Sequence, residues 1–315
     1  MNEAIFSRRN ALQALGGVAL MAGVCTNASI AAKTATAPTA AEKSLAEIEA
    51  ASGGRLGVFA IDTVDGRTLA RNADRRFGMC STFKLLLAAA ILREIDAGRI
   101  DPGKFIAYGK ADLLSHAPVT ALNLAKGGMT VIALAEAAQL TSDNTAANLL
   151  LTLLGGPRAF TKLLRAMGDP VTRLDRFETV MNLVPPGEIR DTTTPRAMAQ
   201  TSGRVLTGNV LTPASRAKLI DWMIATQTGL RRIRAGLPDG WRAGDKTGTA
   251  MHRSMHNKHN DVAIIFPASA ASPQRAPIVV AACFEAARYV EKTRAEDDAV
   301  LASVGKVIAT WAIAS

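Results

Sequence analysis

The sequence predicts an α+β fold: one antiparallel sheet of about five strands flanked by the terminal helices, with an all-helical lobe inserted in the middle. Three observations carry this. Strand patterns lie near both ends, at Arg55 to Thr63 with a return through Asp65-Gly66, and at Trp241 to Thr249, Asp261 to Phe266 and Pro277 to Phe284. Helical periodicity dominates the chain between them. No internal repeat or low-complexity linker follows Ala41, which favours one unit over beads on a string.

In chain order, the first element is not part of the fold. Ser7-Arg8-Arg9-Asn10 precedes a short apolar stretch, Ala11 to Val24, and then small residues around Ala28 to Ala37, the charged, apolar and small-residue order of an export signal. Residues 1–37 are therefore expected to be cleaved. The Arg8-Arg9 pair points to the twin-arginine route into the periplasm, with an ordinary secretory signal as the alternative. Cys25 follows Val24, a poor small residue for a lipid-anchor site. The catalytic domain is expected over 38–315, its α/β part at about 38–75 and 225–315 and its helical lobe at about 76–224.

Ala41 to Ala51 reads as a helix ahead of the first hairpin. The lobe then holds Ser81 to Ala97 ending at Gly98, Val131 to Leu140 after the cap residue Thr130, Asn144 to Leu154 running into Gly155-Gly156, and Pro157 to Met167 stopping at Gly168. From Asp169 to Thr193 periodicity is lost, and Pro170, Pro185 and Pro186 mark a long loop of the kind that usually carries function. Helices resume at Pro195 to Leu206 and Pro213 to Thr226, and a last one spans about Ala295 to Ile313. A cleft between sheet and lobe is the default site.

Composition narrows the chemistry. The 315 residues are 48% apolar and 20% charged, which excludes disorder, collagen and coiled coil, and no apolar run reaches the length of a membrane span. Lys and Arg number 37 against 27 Asp and Glu, a net +10; without the signal the balance is 34 against 26, or +8. With 4% aromatic residues and no long Lys/Arg block, a basic surface or anionic small substrates account for this charge better than nucleic acid. Cys80 and Cys283 remain after cleavage and read as two buried thiols, with one disulfide as the alternative.

Four histidines, with no His-Glu-x-x-His, no Cys-x-x-Cys and no phosphate loop, leave neither a catalytic metal nor a cofactor to expect. What remains is serine chemistry. Ser81-Thr82-Phe83-Lys84 places a hydroxyl and an amine on one helix face, where a desolvated amine can take the serine proton. The spacing alone is weak, because Ser215-x-x-Lys218 and Ser303-x-x-Lys306 share it. Only the first is followed at once by an apolar run, Leu85 to Leu92, and only it has company: Ser142-Asp143-Asn144 at a helix start, Glu178 and Asn182 in the long loop, and Lys246-Thr247-Gly248 in a strand.

These motifs in this order resemble the class A serine beta-lactamases. The resemblance extends over the mature chain, including Pro118-Val119-Thr120, Arg173-Leu174-Asp175-Arg176-Phe177-Glu178 and Arg190-Asp191-Thr192-Thr193. It implies the fold shared by serine beta-lactamases and penicillin-binding proteins, a monomer, and hydrolysis of small-molecule beta-lactams with no nucleic-acid partner, no membrane attachment after cleavage and no cofactor. Ser81 would attack the lactam carbonyl, with the Ser81 and Thr249 amides as the oxyanion hole. Either Lys84 or Glu178 would be the acylation base, and Glu178 with Asn182 would activate the deacylating water. Ser142 would pass a proton to the lactam nitrogen, and Asn144 would hold the substrate side-chain amide and Lys84. Lys246, Thr247, Thr249 and Arg232 would bind the substrate carboxylate, and Gly248 would let substrate lie against the strand. Arg176 and Asp191 would form a structural ion pair. His116, at a position usually aromatic, would either stack on substrate or be an exposed loop imidazole.

Three places depart from the family pattern. Thr179 stands where many members carry proline behind a cis bond, so either the bond is cis without proline or the loop runs differently. Cys80 has no partner cysteine after the Lys-Thr-Gly-Thr run, where Ala250 stands, so the bridge of the carbapenem-hydrolysing branch is absent. Met251 to His259 holds three His and two Met and reads as a solvated hairpin extension, with weak copper or zinc binding as the alternative. The rival functions are a penicillin-binding peptidase, which normally lacks the deacylating Glu, and a beta-lactam sensor that stays acylated.

Overall fold

In the computed structural model, which describes residues 37–268 and 275–314, helix α1 (Ala40–Ser52) starts where Thr39 accepts the Glu42 amide and the Glu42 side chain returns to the Thr39 amide. The expected export signal falls outside the described residues, apart from Ala37. Strand β1 (Arg55–Asp62) turns back into β2 (Thr68–Arg71), and a two-residue strand, β3 (Phe77–Gly78), leads through a 3-10 turn at Cys80–Thr82 into α2 (Phe83–Asp96). The lobe continues with β4 (Phe105–Ala107), α3 (Pro118–Leu122), β5 (Gly128–Thr130), α4 (Val131–Leu140), α5 (Asn144–Leu153) and α6 (Pro157–Ala166). Thr130 caps α4 by accepting the Ala133 amide, as its position predicts.

The Asp169 to Thr193 stretch is irregular apart from a 3-10 turn at Val180–Asn182 and the short strand β6 (Thr192–Thr193), which pairs with β3. Helices α7 (Pro195–Leu206) and α8 (Pro213–Ala225) begin with proline behind threonine caps. Strands β7 (Arg242–Ala250), β8 (Lys258–Phe266) and β9 (Ile278–Glu285) and helix α9 (Ala295–Ile313) close the chain.

The main sheet has five antiparallel strands in the order β2-β1-β9-β8-β7. Its period-two alternation divides two cores. Phe59, Val262, Ile264, Val279 and Ala281 pack toward the lobe, while Leu56, Val58, Ala263, Ile265, Val280 and Phe284 pack with Leu45 of α1 and Leu301, Val304 and Ile308 of α9. Helix α2 is the axis of the lobe, with Phe83 to Leu92 buried without a break, Lys84 among them. A helix apolar all round over this stretch belongs inside a protein, so the 3-10 turn at its start is anchored to the core.

One strand begins earlier than predicted. β8 starts at Lys258, pairing Lys258 with Ala250 and His259 with Thr249, because polar residues at its start hide the alternation. His259 and Asn260 therefore lie in the sheet, not in the hairpin extension.

Candidate active site

Ser81 sits half-buried in the 3-10 turn, and one helical turn later Lys84 reaches it: Nζ lies 3.1 Å from Ser81 Oγ. The ammonium has no solvent exposure and also meets the Ser142 carbonyl at 2.8 Å, Asn144 Oδ1 at 2.5 Å and Glu178 Oε1 at 3.0 Å, with Ser142 Oγ at 3.4 Å. Burial lowers the Lys84 pKa, and the Glu178 carboxylate opposes that shift.

Ser142 and Asn144 arrive from the start of α5, where Asp143 caps the helix by accepting the Ala146 amide at 2.9 Å. The same carboxylate accepts the Val119 and Thr120 amides at 3.0 and 2.9 Å, which explains why Pro118-Val119-Thr120 accompanies the motif. Ser142 Oγ lies 3.0 Å from Lys246 Nζ and 3.4 Å from Lys84 Nζ, so one hydroxyl joins both lysines. Burial and the Lys84 charge push the Lys246 pKa down to about 7.

Glu178 enters from the long loop with its side chain fully buried. Asn182 Nδ2 donates to Glu178 Oε2 at 2.6 Å, and the Glu178–Thr179 peptide bond is cis without proline. The neck of this loop is closed as expected by the ion pair of Arg176 with Asp191, whose carboxylate also accepts the Asp175 and Arg176 amides. The Met79 amide donates to the Asp191 carbonyl at 3.0 Å, tying the neck to the residues just before Ser81.

Arg232 is buried beside β7. It donates to the Gly248 and Asn260 carbonyls at 3.0 and 2.7 Å and to Thr249 Oγ1 at 2.6 Å, and it pairs with Asp298 at 2.8 Å. Thr247 Oγ1 donates to Thr228 Oγ1 at 2.8 Å. His116 is exposed, at φ 59°, and its Nε2 lies 2.8 Å from the Thr141 carbonyl, while Asn144 Nδ2 donates to the neighbouring Ser115 carbonyl.

A Cβ on Gly248 would lie 2.8 Å from the Met79 carbonyl oxygen and 3.1 Å from the Ser81 amide nitrogen, so this glycine gives room to the turn that carries Ser81. The Met251 to His259 segment is not a single solvated extension. Met255 is buried against Cys80 and Ala250, and His259 is buried in β8 with Nε2 3.5 Å from Asp297, so its imidazole does not join the exposed His252 and His256. Cys80 and Cys283 are free buried thiols, as read from the sequence, with burial pushing the Cys80 pKa up to about 12.

Two positioning residues escape sequence reasoning. Asn148 Nδ2 donates to the Glu178 carbonyl at 2.8 Å and its Oδ1 accepts the Glu178 amide at 2.9 Å, clamping the backbone of that residue. Asn260 Nδ2 donates to the Gly78 and Met79 carbonyls at 2.8 and 3.0 Å. Asn148 stands four residues after Asn144 on one helix, and that i,i+4 relation is the signal that would reveal it.

A serine paired with a buried lysine, beside a second serine shared by two lysines, on an antiparallel sheet with a helical lobe, defines a serine-dependent acyl-transfer enzyme. The comparisons specify which. A family model described as the beta-lactamase enzyme family matches residues 40–312. The chain is 46% identical over 275 residues to beta-lactamase AST-1 of Nocardia asteroides, covering 87% of this chain and 84% of that one. It is 43% identical over 309 residues to beta-lactamase L2 of Stenotrophomonas maltophilia, covering 96% and 98%. An ancestral class A beta-lactamase structure superposes with a TM-score of 0.80 at 50% identity, covering 86% of this chain and 99% of that one. The chain belongs to the beta-lactamase enzyme family, as a class A serine beta-lactamase.

Proposed function

We propose that the chain hydrolyses the beta-lactam ring of penicillins and cephalosporins through an acyl-enzyme on Ser81, and so confers resistance to them. The observation that carries this is the Glu178 carboxylate, with one oxygen 3.0 Å from Lys84 Nζ and the other accepting Asn182 Nδ2 at 2.6 Å. Asn182 Oδ1 is buried and accepts no hydrogen bond from the described residues, which leaves an acceptor for a water proton.

The Ser81 proton passes to Glu178, or to Lys84 after the Lys84 ammonium has given its own proton to the Glu178 carboxylate 3.0 Å away, as Oγ attacks the lactam carbonyl. Lys84 then passes a proton through Ser142 to the leaving nitrogen and takes one back from Glu178, which is again a carboxylate. The Ser81 and Thr249 amides stabilise the tetrahedral oxyanion. The lactam C–N bond then breaks, and Ser142, placed between the two lysines, delivers a proton to the leaving nitrogen. Lys246, Thr247 and Thr249, with Arg232 behind them, bind the substrate carboxylate; Asn144 positions Lys84 and meets the substrate side chain, and His116 stacks at the cleft mouth. In the second half, Glu178 takes a proton from water, the resulting hydroxide attacks the ester carbonyl, and Ser81 leaves with its proton restored.

Residues 1–37 would direct export to the periplasm by the twin-arginine route, and residues 38–315 would act there as a monomer. Among the described residues no helix is long and apolar enough to cross a membrane. The test is mass spectrometry against time after mixing with benzylpenicillin, together with the lactam absorbance. Many turnovers with little lasting adduct support the hydrolase; one stoichiometric, persistent adduct on Ser81 makes the chain a peptidase or a sensor.

A further inference from the structure

Behind the loop that carries Glu178 lies a cavity of about 590 Å³ lined by none of the catalytic residues. Its walls come from Val184 to Ile189 of that loop and from Arg75 and Arg76, and its lining includes three strand-end residues, Arg55, Glu285 and Lys258. The sheet register puts these three on one rung, Arg55 opposite Glu285 and Glu285 opposite Lys258. One carboxylate thus lies between two cations: Glu285 Oε2 accepts Arg55 at 2.6 Å and Oε1 accepts Lys258 at 2.7 Å.

Among the residues that line the cavity, cations outnumber carboxylates. The Lys258 side chain is only 4% exposed, and Glu285 is the sole acceptor its ammonium meets among the described residues. Arg76 donates only to neutral oxygens, Thr192 Oγ1 at 2.9 Å and the Val171 carbonyl at 3.3 Å. The Arg75 side chain has no partner among the described residues. The other acid in the lining, Glu188, is engaged by Arg190 at 2.6 Å. Four cations therefore face one available carboxylate, itself saturated by two of them.

We propose that this cavity binds a small polyanion, held by Arg75, Arg76 and the buried Lys258. Arg75 and Arg76 are exposed and meet no carboxylate, and Lys258 shares its one carboxylate with Arg55, so a multiply charged anion would add negative charge where it is short, through the strong charge-assisted bonds of guanidinium and ammonium. One wall belongs to the catalytic loop, so an occupant would brace that loop against the sheet edge.

Pyrophosphate is the probe, titrated calorimetrically into the full mature chain at fixed ionic strength, with citrate as the carboxylate counterpart. Saturable one-to-one binding is expected, and a hundredfold excess over Kd should raise the melting temperature by about 5 °C. Arg75→Gln and Lys258→Met should each weaken binding about tenfold, the loss of one charge-assisted contact, whereas Arg75→Lys should retain most of it. Because the catalytic cleft is also cationic, kcat/KM for benzylpenicillin is measured with pyrophosphate present, and it should not change. Absence of saturable binding at millimolar pyrophosphate, affinity indifferent to both variants, or a competitive fall in kcat/KM would each overturn the assignment. The calorimetric arms decide the question whether or not the chain hydrolyses beta-lactams.

Discussion

Replacing Asn148 by alanine should isolate the deacylation half of the proposed reaction. The side chain makes two hydrogen bonds, at 2.8 and 2.9 Å, and both go to the backbone of Glu178. At about 1 kcal/mol each, their loss frees the loop residue by roughly 2 kcal/mol. If that freedom is charged wholly to the transition state in which Glu178 takes the water proton, deacylation slows about 30-fold. Acylation that uses Lys84 as the base should be spared, because Ser81, Lys84, Ser142 and Lys246 keep all their contacts with one another. In a two-step scheme, slower deacylation lowers kcat and KM by the same factor and leaves kcat/KM, which reports acylation, unchanged. The assay is steady-state hydrolysis of benzylpenicillin combined with quenched-flow mass spectrometry, in which the Ser81 adduct should rise toward full occupancy. A drop in kcat/KM as large as the drop in kcat, with no adduct accumulating, would refute the reasoning and show that Asn148 supports the whole cleft.

Further outcomes follow from the same geometry. Glu178→Ala should acylate and then stall, visible as a stable adduct by mass spectrometry; full turnover would remove Glu178 from its role. Lys246 holds its proton below about pH 7 and loses it above, so kcat/KM for a carboxylate-bearing substrate should fall as pH rises through 7, and Lys246→Arg should move that limb upward, as a pH–rate profile would show. Arg176→Met leaves the Asp191 carboxylate buried without its cation, a loss of about 3–5 kcal/mol that calorimetry should register as a melting point lower by roughly 6–10 °C. Copper or zinc titrated into the protein should give no heat from the Met251 to His259 segment, because His259 is held apart in β8.

The helices and the five-strand sheet were legible because their signals are local: threonine caps, proline at first helical positions, glycine stops and alternating apolar strands. The motif residues were legible as types in order, and the structure brings Ser81, Lys84, Ser142, Asn144, Glu178 and Lys246 into one connected group. The start of β8 was not legible, since Lys258, His259 and Asn260 are polar yet buried and look like loop. Asn148 and Asn260 escaped for a related reason. Their purpose is to satisfy backbone groups of segments distant in sequence, and only the i,i+4 spacing of Asn148 from Asn144 hints at that task, while nothing local marks Asn260. The role of Gly248 was likewise hidden, because the atoms a side chain would strike belong to Met79 and Ser81.

The pairing of β3 with β6, with the Met79 amide on the Asp191 carbonyl, has an evolutionary consequence. In the proposed mechanism both halves of the cycle hang from one short ladder, so reshaping the loop for bulkier drugs should also disturb the residues just before Ser81. Variants with a broadened spectrum should therefore draw on the stability reserve of the enzyme, and lineages that keep them should accumulate compensating substitutions in the surrounding core, around α2 and α7, where packing can restore what the ladder loses.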